Sequence, residues 1–185
     1  MGVLEKTERD PNYYNDIKTY GKCGEDDFIS FFNNKISKKG YTLHDVRKIK
    51  EYQNIDIDFI IDKNGDVNFP TSLEQVLLDK RYIKIEVKYN SVALETGNIA
   101  YESISHGSLG WGDITKCDFI YQVFTEKNSL NIKKRAWIDM AKWKEYLSNR
   151  KNKKKINYIK NEEIIDLLCN LNDMEEKNVL TFIEN

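Results

Sequence analysis

Histidine, proline and paired cysteines are scarce in this chain. Its 185 residues include two histidines, two prolines and three cysteines, and Cys23, Cys117 and Cys169 lie far apart. Two histidines exclude a histidine-rich metal site, and without a C-x-x-C pair we expect no structural zinc site. Separated cysteines in odd number are typical of reduced thiols, so a cytoplasmic location is expected.

The chain also lacks a long apolar run and an excess of charge of either sign. No segment approaches the ~18 apolar residues that would cross a bilayer, and the first residues lack the apolar centre of a signal peptide. We therefore expect no membrane partner. A net charge of −1 means that any attraction for phosphate must be local. This length predicts a single domain over residues 1–185.

A strand with one charged face is predicted over residues 82–89, which include Ile83-Lys84-Ile85-Glu86-Val87-Lys88-Tyr89. Side chains of a strand point alternately to its two faces. Lys84, Glu86 and Lys88 therefore share one face, and the apolar residues between them share the other. The apolar face can build a core, while the charged face puts a carboxylate beside an ammonium group.

Residues 54–61 alternate in the same way, and we predict a second strand there. It would carry Asp56, Asp58 and Ile60 on one face. If this strand lies beside residues 82–89, Asp58, Glu86 and Lys88 can meet at one end of a sheet.

The other segments predict a mixed central β-sheet flanked by helices, which is an α/β fold. Apolar spacing predicts a helix over 24–39 that ends at Gly40, and Asn64-Gly65 indicates a tight turn. The remaining expected elements are a short strand or turn over 41–50, a returning strand over 66–69, a helix over 71–78, strands over 98–104, 118–125 and 135–139, and helices over 139–146 and 162–171. We expect a core over about 20–147 and a basic, helical extension over 148–185.

Carboxylates and a lysine at one sheet end suit phosphodiester hydrolysis. This reaction needs an activated water and stabilised charge on the departing oxygen, which divalent metals provide. Mg²⁺ and Mn²⁺ prefer hard oxygen ligands and keep several waters. We expect Asp58, Glu86 and the backbone carbonyl of Val87 to bind the metal, and Lys88 to assist the water.

Asp58, then Glu86-Val87-Lys88 on the next strand, resembles the motif of the PD-(D/E)XK nuclease superfamily. The resemblance implies a restriction-endonuclease-like core, Mg²⁺ or Mn²⁺ as cofactor, and metal-dependent hydrolysis of DNA, less often of RNA. A glutamate on the helix before the sheet is common in the superfamily. The segment Gly21-Lys22-Cys23-Gly24-Glu25 is similar to the one in archaeal Holliday-junction resolvases, and Glu25 would then join the metal site.

Three later segments are similar to phage-borne and restriction-type members, and the resemblance covers roughly residues 20–147. They are 96–102, 110–112 and 116–121. The chain also departs from the pattern, because Ile57 replaces the usual proline and residues 66–80 look inserted. The choice between Asp56 and Asp58 stays open, with Asp58 favoured by its setting in Ile-Asp-Phe-Ile. Some members of the superfamily have lost catalysis.

Several residues have both a functional and a structural interpretation. Glu102 either aids the site or is a surface carboxylate. Trp111 either stacks on a base or packs against the sheet. A basic stretch that includes Lys151, Lys153, Lys154 and Lys155 either contacts phosphates or is a solvated face.

A metal-dependent nuclease acting on nucleic acid, DNA before RNA, is the function that these patterns favour. Cutting two strands would favour a homodimer. The alternative is a catalytically silent protein of the same fold that binds nucleic acid or interferes with a defence system. A third interpretation takes the carboxylates as plain surface charge of an interaction protein.

Overall fold

The computed structural model describes residues 11–69, 72–127, 129–149, 157–160 and 164–184. The helices are α1 (Pro11–Phe31), α2 (Lys50–Gln53), α3 (Leu73–Leu78), α4 (Ala93–Thr96), α5 (Trp111–Ile114), α6 (Met140–Ser148) and α7 (Leu171–Glu176). A π-helical turn (Phe32–Ile36) and a 3₁₀ turn (Ser37–Lys39) extend α1. The strands are β1 (Thr42–Asp45), β2 (Phe59–Asp62), β3 (Tyr82–Asn90), β4 (Asn98–Ser105), β5 (Ser108–Leu109), β6 (Phe119–Thr125), β7 (Ile132–Asp139), β8 (Asn157–Lys160), β9 (Ile164–Asn170) and β10 (Leu180–Ile183).

The main sheet is mixed and has the strand order β1-β2-β3-β6-β7-β10. β3 and β6 are parallel neighbours, and the other neighbouring pairs are antiparallel. With helices packed against this sheet, the expected α/β class with a mixed sheet is confirmed. The chain leaves the sheet after β3 and returns at β6, and β4, β5 and two short helices fill that connection.

A second, antiparallel sheet has the order β5-β4-β9-β8 and was not predicted. The helix expected over 162–171 is wrong, because residues 164–170 form β9 between β4 and β8. A short apolar run fits a buried strand as well as a helix, so its periodicity does not decide between them. Pairing with strands distant in sequence decides for the strand, and helix α7 begins only at Leu171.

Both faces of the main sheet are covered. On one face, α1 packs Phe28 and Phe32 against a cluster that includes Phe59, Ile85 and Tyr121. Gly24 permits this close approach, since a Cβ there would lie 3.3 Å from Val87. The opposite face carries a larger core formed with the second sheet and α6. The charged face of β3 is therefore partly enclosed by protein.

The turn at Asn64-Gly65 has a specific steric reason. Gly65 has a φ of +70°, and a Cβ there would lie 2.3 Å from the carbonyl oxygen of Gly40. The predicted end of the first helical segment at Gly40 is confirmed, with a φ of +79°. The returning strand expected over 66–69 is wrong, since no strand forms there.

The strand predicted over 54–61 is shorter than expected. β2 begins at Phe59, and residues 54–56 form a turn after α2. Asp56 has a φ of +49°, a left-handed conformation that breaks strand alternation. The prediction that Asp56 shares a strand face with Asp58 is therefore wrong.

Candidate active site at the adjoining ends of β2 and β3

Asp58 is fixed by two backbone hydrogen bonds to the neighbouring strand. Its N–H donates to the carbonyl of Ile85 at 2.9 Å, and its Oδ2 accepts the N–H of Val87 at 2.8 Å. Phe59 pairs with Ile85 in the antiparallel register, so Asp58 lies opposite Glu86. Directly opposed residues of two strands share a face. The sheet therefore brings the Asp58 and Glu86 carboxyl groups together.

Lys88 completes the group from the same face of β3. Its Nζ lies 2.7 Å from Oε1 of Glu86. The Glu86 side chain is 8% exposed and that of Lys88 is 28% exposed. The predicted alternation of β3 is confirmed, because Ile83, Ile85 and Val87 pack on the α1 side.

Burial dominates the electrostatics of the two carboxyl groups. Burial raises the pKa of Glu86, Lys88 lowers it, and the Asp58 carboxylate raises it again. Burial also raises the pKa of Asp58, against hydrogen bonds from Val87 and Glu86 that lower it. The two carboxyls therefore hold a proton at higher pH than exposed carboxyls do, and they titrate as a pair.

The Lys88 ammonium is stabilised by the acids around it. Burial lowers the pKa of Lys88, but the acids Glu86, Asp56 and Asp58 together outweigh burial, and its pKa lies above the ordinary value. The amine is therefore protonated in this arrangement. It can stabilise negative charge on a bound phosphate, and it occupies Oε1 of Glu86.

Trp111 covers Lys88, a contact that the sequence did not predict. Lys88 Nζ lies 4.8 Å from the centre of the indole ring, within the range of a cation–π interaction. Trp111 also packs against Tyr101 and Trp143, with ring centroids 5.7 and 5.9 Å away. The sequence drew attention to Gly110-Trp111-Gly112, but it did not indicate that Trp111 would contact Lys88 on the distant strand β3.

Glu25 approaches the group from α1 but is held by an arginine. Arg47 forms ion pairs with both Glu25 and Asp45, and its guanidinium lies 4.8 Å from the ring centre of Phe59. Burial raises the pKa of Glu25, Arg47 lowers it, and the nearby Asp58 raises it. Glu25 is thus electrostatically coupled to Asp58. No motif in the sequence marked Arg47.

Asp56 and Glu102 lie at the margin of the group. The carbonyl of Asp56 accepts the Thr115 hydroxyl at 3.1 Å. Burial raises the pKa of Asp56, Lys88 lowers it, and Asp58 and Glu102 raise it. Glu102 itself accepts the N–H of Trp111 at 3.3 Å, so it helps to position the residue that covers Lys88.

The donor set fits a magnesium-type cation that keeps much of its water. Asp58 and Glu86 offer carboxylate oxygens, and the Val87 carbonyl lies between Glu86 and Lys88 on the chain. Mg²⁺ is usually bound through one or two carboxylates plus waters and substrate phosphates. Across the described ranges, no cluster of three or more acidic, histidine or cysteine side chains is arranged to hold a metal ion.

The comparisons with known proteins add no relative. No protein-family model, no curated protein and no solved structure matches this chain.

None of the described helices has the length and apolar character needed to span a membrane. Lys151, Lys153, Lys154 and Lys155 lie outside the described residues.

Proposed function

We propose that this protein is a divalent-metal-dependent nuclease that hydrolyses phosphodiester bonds, in DNA before RNA. One observation carries the proposal: the hydrogen bond from Val87 to Asp58 joins two distant segments and puts the Asp58 carboxylate opposite Glu86, next to Lys88. A buried carboxyl, a half-buried carboxyl and an amine at one sheet end are the groups that this hydrolysis requires.

Each residue of the group has a defined task in this proposal. Asp58 and Glu86 bind Mg²⁺ or Mn²⁺, which supplies Lewis acidity and an activated water when bound. Lys88 orients the attacking water and offsets negative charge at the phosphate. Glu25 completes the acidic cluster, and Arg47 positions Glu25. Trp111 restricts the movement of the Lys88 side chain.

A silent nucleic-acid-binding protein is the second candidate, and a specific observation favours it. Within the described residues no three-ligand metal group is assembled, and Lys88 occupies Oε1 of Glu86. A protein of this kind would bind nucleic acid without cutting it. Equilibrium Mn²⁺ binding separates the two candidates, because the nuclease requires a cation site that Glu86→Gln removes.

Cleavage of branched, duplex and single-stranded DNA, with matched RNA, in the presence of Mn²⁺ tests the nuclease. We expect Lys88→Met to lower the cleavage rate by about 10²–10³-fold, the usual cost of removing one group that stabilises developing negative charge. Lys133→Met is the matched control, since Lys133 lies on β7 and pairs with Glu126. Failure of the wild type to cut any substrate, or equal rates for both variants, would overturn the proposal.

A further inference from the structure

A second feature of the charged face is a cleft of about 700 Å³ at the beginning of β3 and β6. Its walls come from the segment 77–84, the segment 115–119 and the start of α6. Five lysines from four parts of the chain line it: Lys63, Lys80, Lys84, Lys116 and Lys144.

The acids of the cleft are already engaged. Asp118 pairs with Lys84 at 2.9 Å and also accepts its N–H. Asp79 pairs with Arg81 at 3.2 Å. Asp139 caps α6 by accepting the N–H of Lys142 at 3.1 Å.

Most of the cleft lysines, in contrast, have no acidic partner among the residues that the structure describes. Lys63, Lys80 and Lys116 are exposed, and within the described part of the chain none of them forms an ion pair. Lys144 donates to the carbonyl of Thr115 at 3.3 Å, a neutral acceptor that leaves its charge uncompensated. The cleft therefore holds a local excess of positive charge in a protein with a net charge of −1.

The cleft adjoins the candidate active site. Lys84 and Glu86 lie two positions apart on the same face of β3, which corresponds to about 6.8 Å along a strand. Thr115 lines the cleft and its hydroxyl binds the carbonyl of Asp56, while Lys116 donates its N–H to the carbonyl of Ile55. A polymeric ligand bound at the Asp58 and Glu86 carboxylates would therefore extend directly into the cleft.

We propose that this cleft binds the phosphodiester backbone of a nucleic-acid strand, next to the bond held at Asp58 and Glu86. Several unpaired ammonium groups in a wide cleft suit a row of phosphates, and contacts to phosphates carry no direct sequence information. The adjacency to a scissile bond rests on the proposed nuclease function, but the binding itself does not. The cleft thus gives affinity for strands of any sequence.

Fluorescence anisotropy with labelled single-stranded DNA, and in a parallel arm RNA, tests this binding in EDTA, where no cleavage occurs. The test variant is Lys80→Ala/Lys116→Ala in the full chain. The matched control is Lys38→Ala/Lys39→Ala, which removes the same charge from exposed lysines after α1. Both variants leave the basic stretch 150–155 intact.

We expect the test variant to bind about tenfold more weakly at moderate salt and to show a salt dependence of log K shallower by about two. The control should bind as the wild type does. Equal loss in both variants or no binding by the wild type would overturn the proposal. Full displacement of the strand by inorganic pyrophosphate, at the same concentration of phosphate groups as the strand, would also overturn it. Because metal is absent, these outcomes leave the cleavage test unaffected.

Discussion

Glu86 has a carboxyl group whose charged form is disfavoured by burial. Its side chain is 8% exposed, and it shares its surroundings with Asp58 and Asp56, against the single ammonium of Lys88. Because burial raises its pKa, the folded state binds a proton at Glu86 more tightly than the unfolded state does. The stability that this proton contributes is present at low pH and is lost as the pH rises through the folded-state pKa.

Glu86→Gln should therefore stabilise the metal-free protein at high pH. The neutral amide keeps the shape of the side chain and removes the buried charge. We expect a melting temperature a few degrees above that of the wild type at pH 8–9, since about 1 kcal/mol corresponds to roughly 2–4 °C at this size, and little difference near pH 5. Differential scanning fluorimetry in EDTA measures this. A variant less stable than the wild type at high pH would contradict the assigned burial cost.

Gly112 leaves room for the ring of Tyr101 beneath Trp111. A Cβ at this position would lie 2.6 Å from the ring, and the Tyr101 hydroxyl donates to the Gly112 carbonyl at 2.6 Å. We expect Gly112→Ala to lower the free energy of unfolding by about 1–3 kcal/mol through overpacking, as measured by urea denaturation.

Gly21→Ala is the control for that substitution. Gly21 lies in α1, and a Cβ there would meet nothing within 4 Å. Alanine is the better helix former by about 1 kcal/mol, so this variant should be as stable as the wild type or more stable. If Gly112→Ala left the free energy of unfolding unchanged, α5 would accommodate the added methyl group, and the expected overpacking would be contradicted.

At the scale of elements, a partly buried acid adds a polar attachment between α1 and the main sheet. Asp27 accepts from Arg135 Nε at 2.8 Å and from the Tyr121 hydroxyl at 2.9 Å. This contact links α1 to β6 and β7 and fixes the helix that carries Glu25. The position of Glu25 near the active site is therefore a property of the whole helix.

Asp27→Ala should loosen this attachment. The Arg135 guanidinium would lose a carboxylate in a partly buried setting, and we expect a loss of about 2 kcal/mol in the free energy of unfolding. Asp26→Ala, on the exposed side of α1, should change the stability little. Chemical denaturation of both variants gives the comparison, and equal stability of the two would contradict a structural role for Asp27.

The two sheets differ in how far local sequence predicts them. β3 alternates apolar and charged residues, so its period alone identifies a strand with two distinct faces. Residues 164–170 lack a comparable alternation, and their strand state depends on β4 and β8. The turn at Asp56 was not predicted either, because Ile55 and Ile57 on its two sides give the alternating pattern that is typical of a strand.

At the scale of the whole molecule, the C-terminal segments complete both sheets. β9 pairs with β4, and β10 pairs with β7 at the edge of the main sheet. Cys169, Met174 and Leu180 are at most 1% exposed and belong to the larger core. The segments β9, α7 and β10 therefore cover apolar surface of the main sheet.

A fragment of residues 20–147 should accordingly fail to fold alone. It would expose the core face that β9, α7 and β10 cover, and β4 and β7 would each lose a strand partner. We expect a fragment without a cooperative thermal transition by circular dichroism, whereas the full chain melts cooperatively. Leu180→Asp in the full chain should destabilise it strongly for the same reason, and a stably folded fragment would contradict this account.

The sequence alone determined the faces of β3, the C-terminal end of the first helical segment and the tight turn at Gly65, because these follow from side-chain alternation and from the steric freedom of glycine. The start of that segment was predicted at residue 24, whereas α1 begins at Pro11. The sequence also predicted that Asp58 and Glu86 could meet. Only the tertiary structure decided that Arg47 holds Glu25, that Trp111 covers Lys88 and that a second sheet encloses the charged face. Those contacts join segments far apart in the chain, and local patterns do not specify which distant strands will pair.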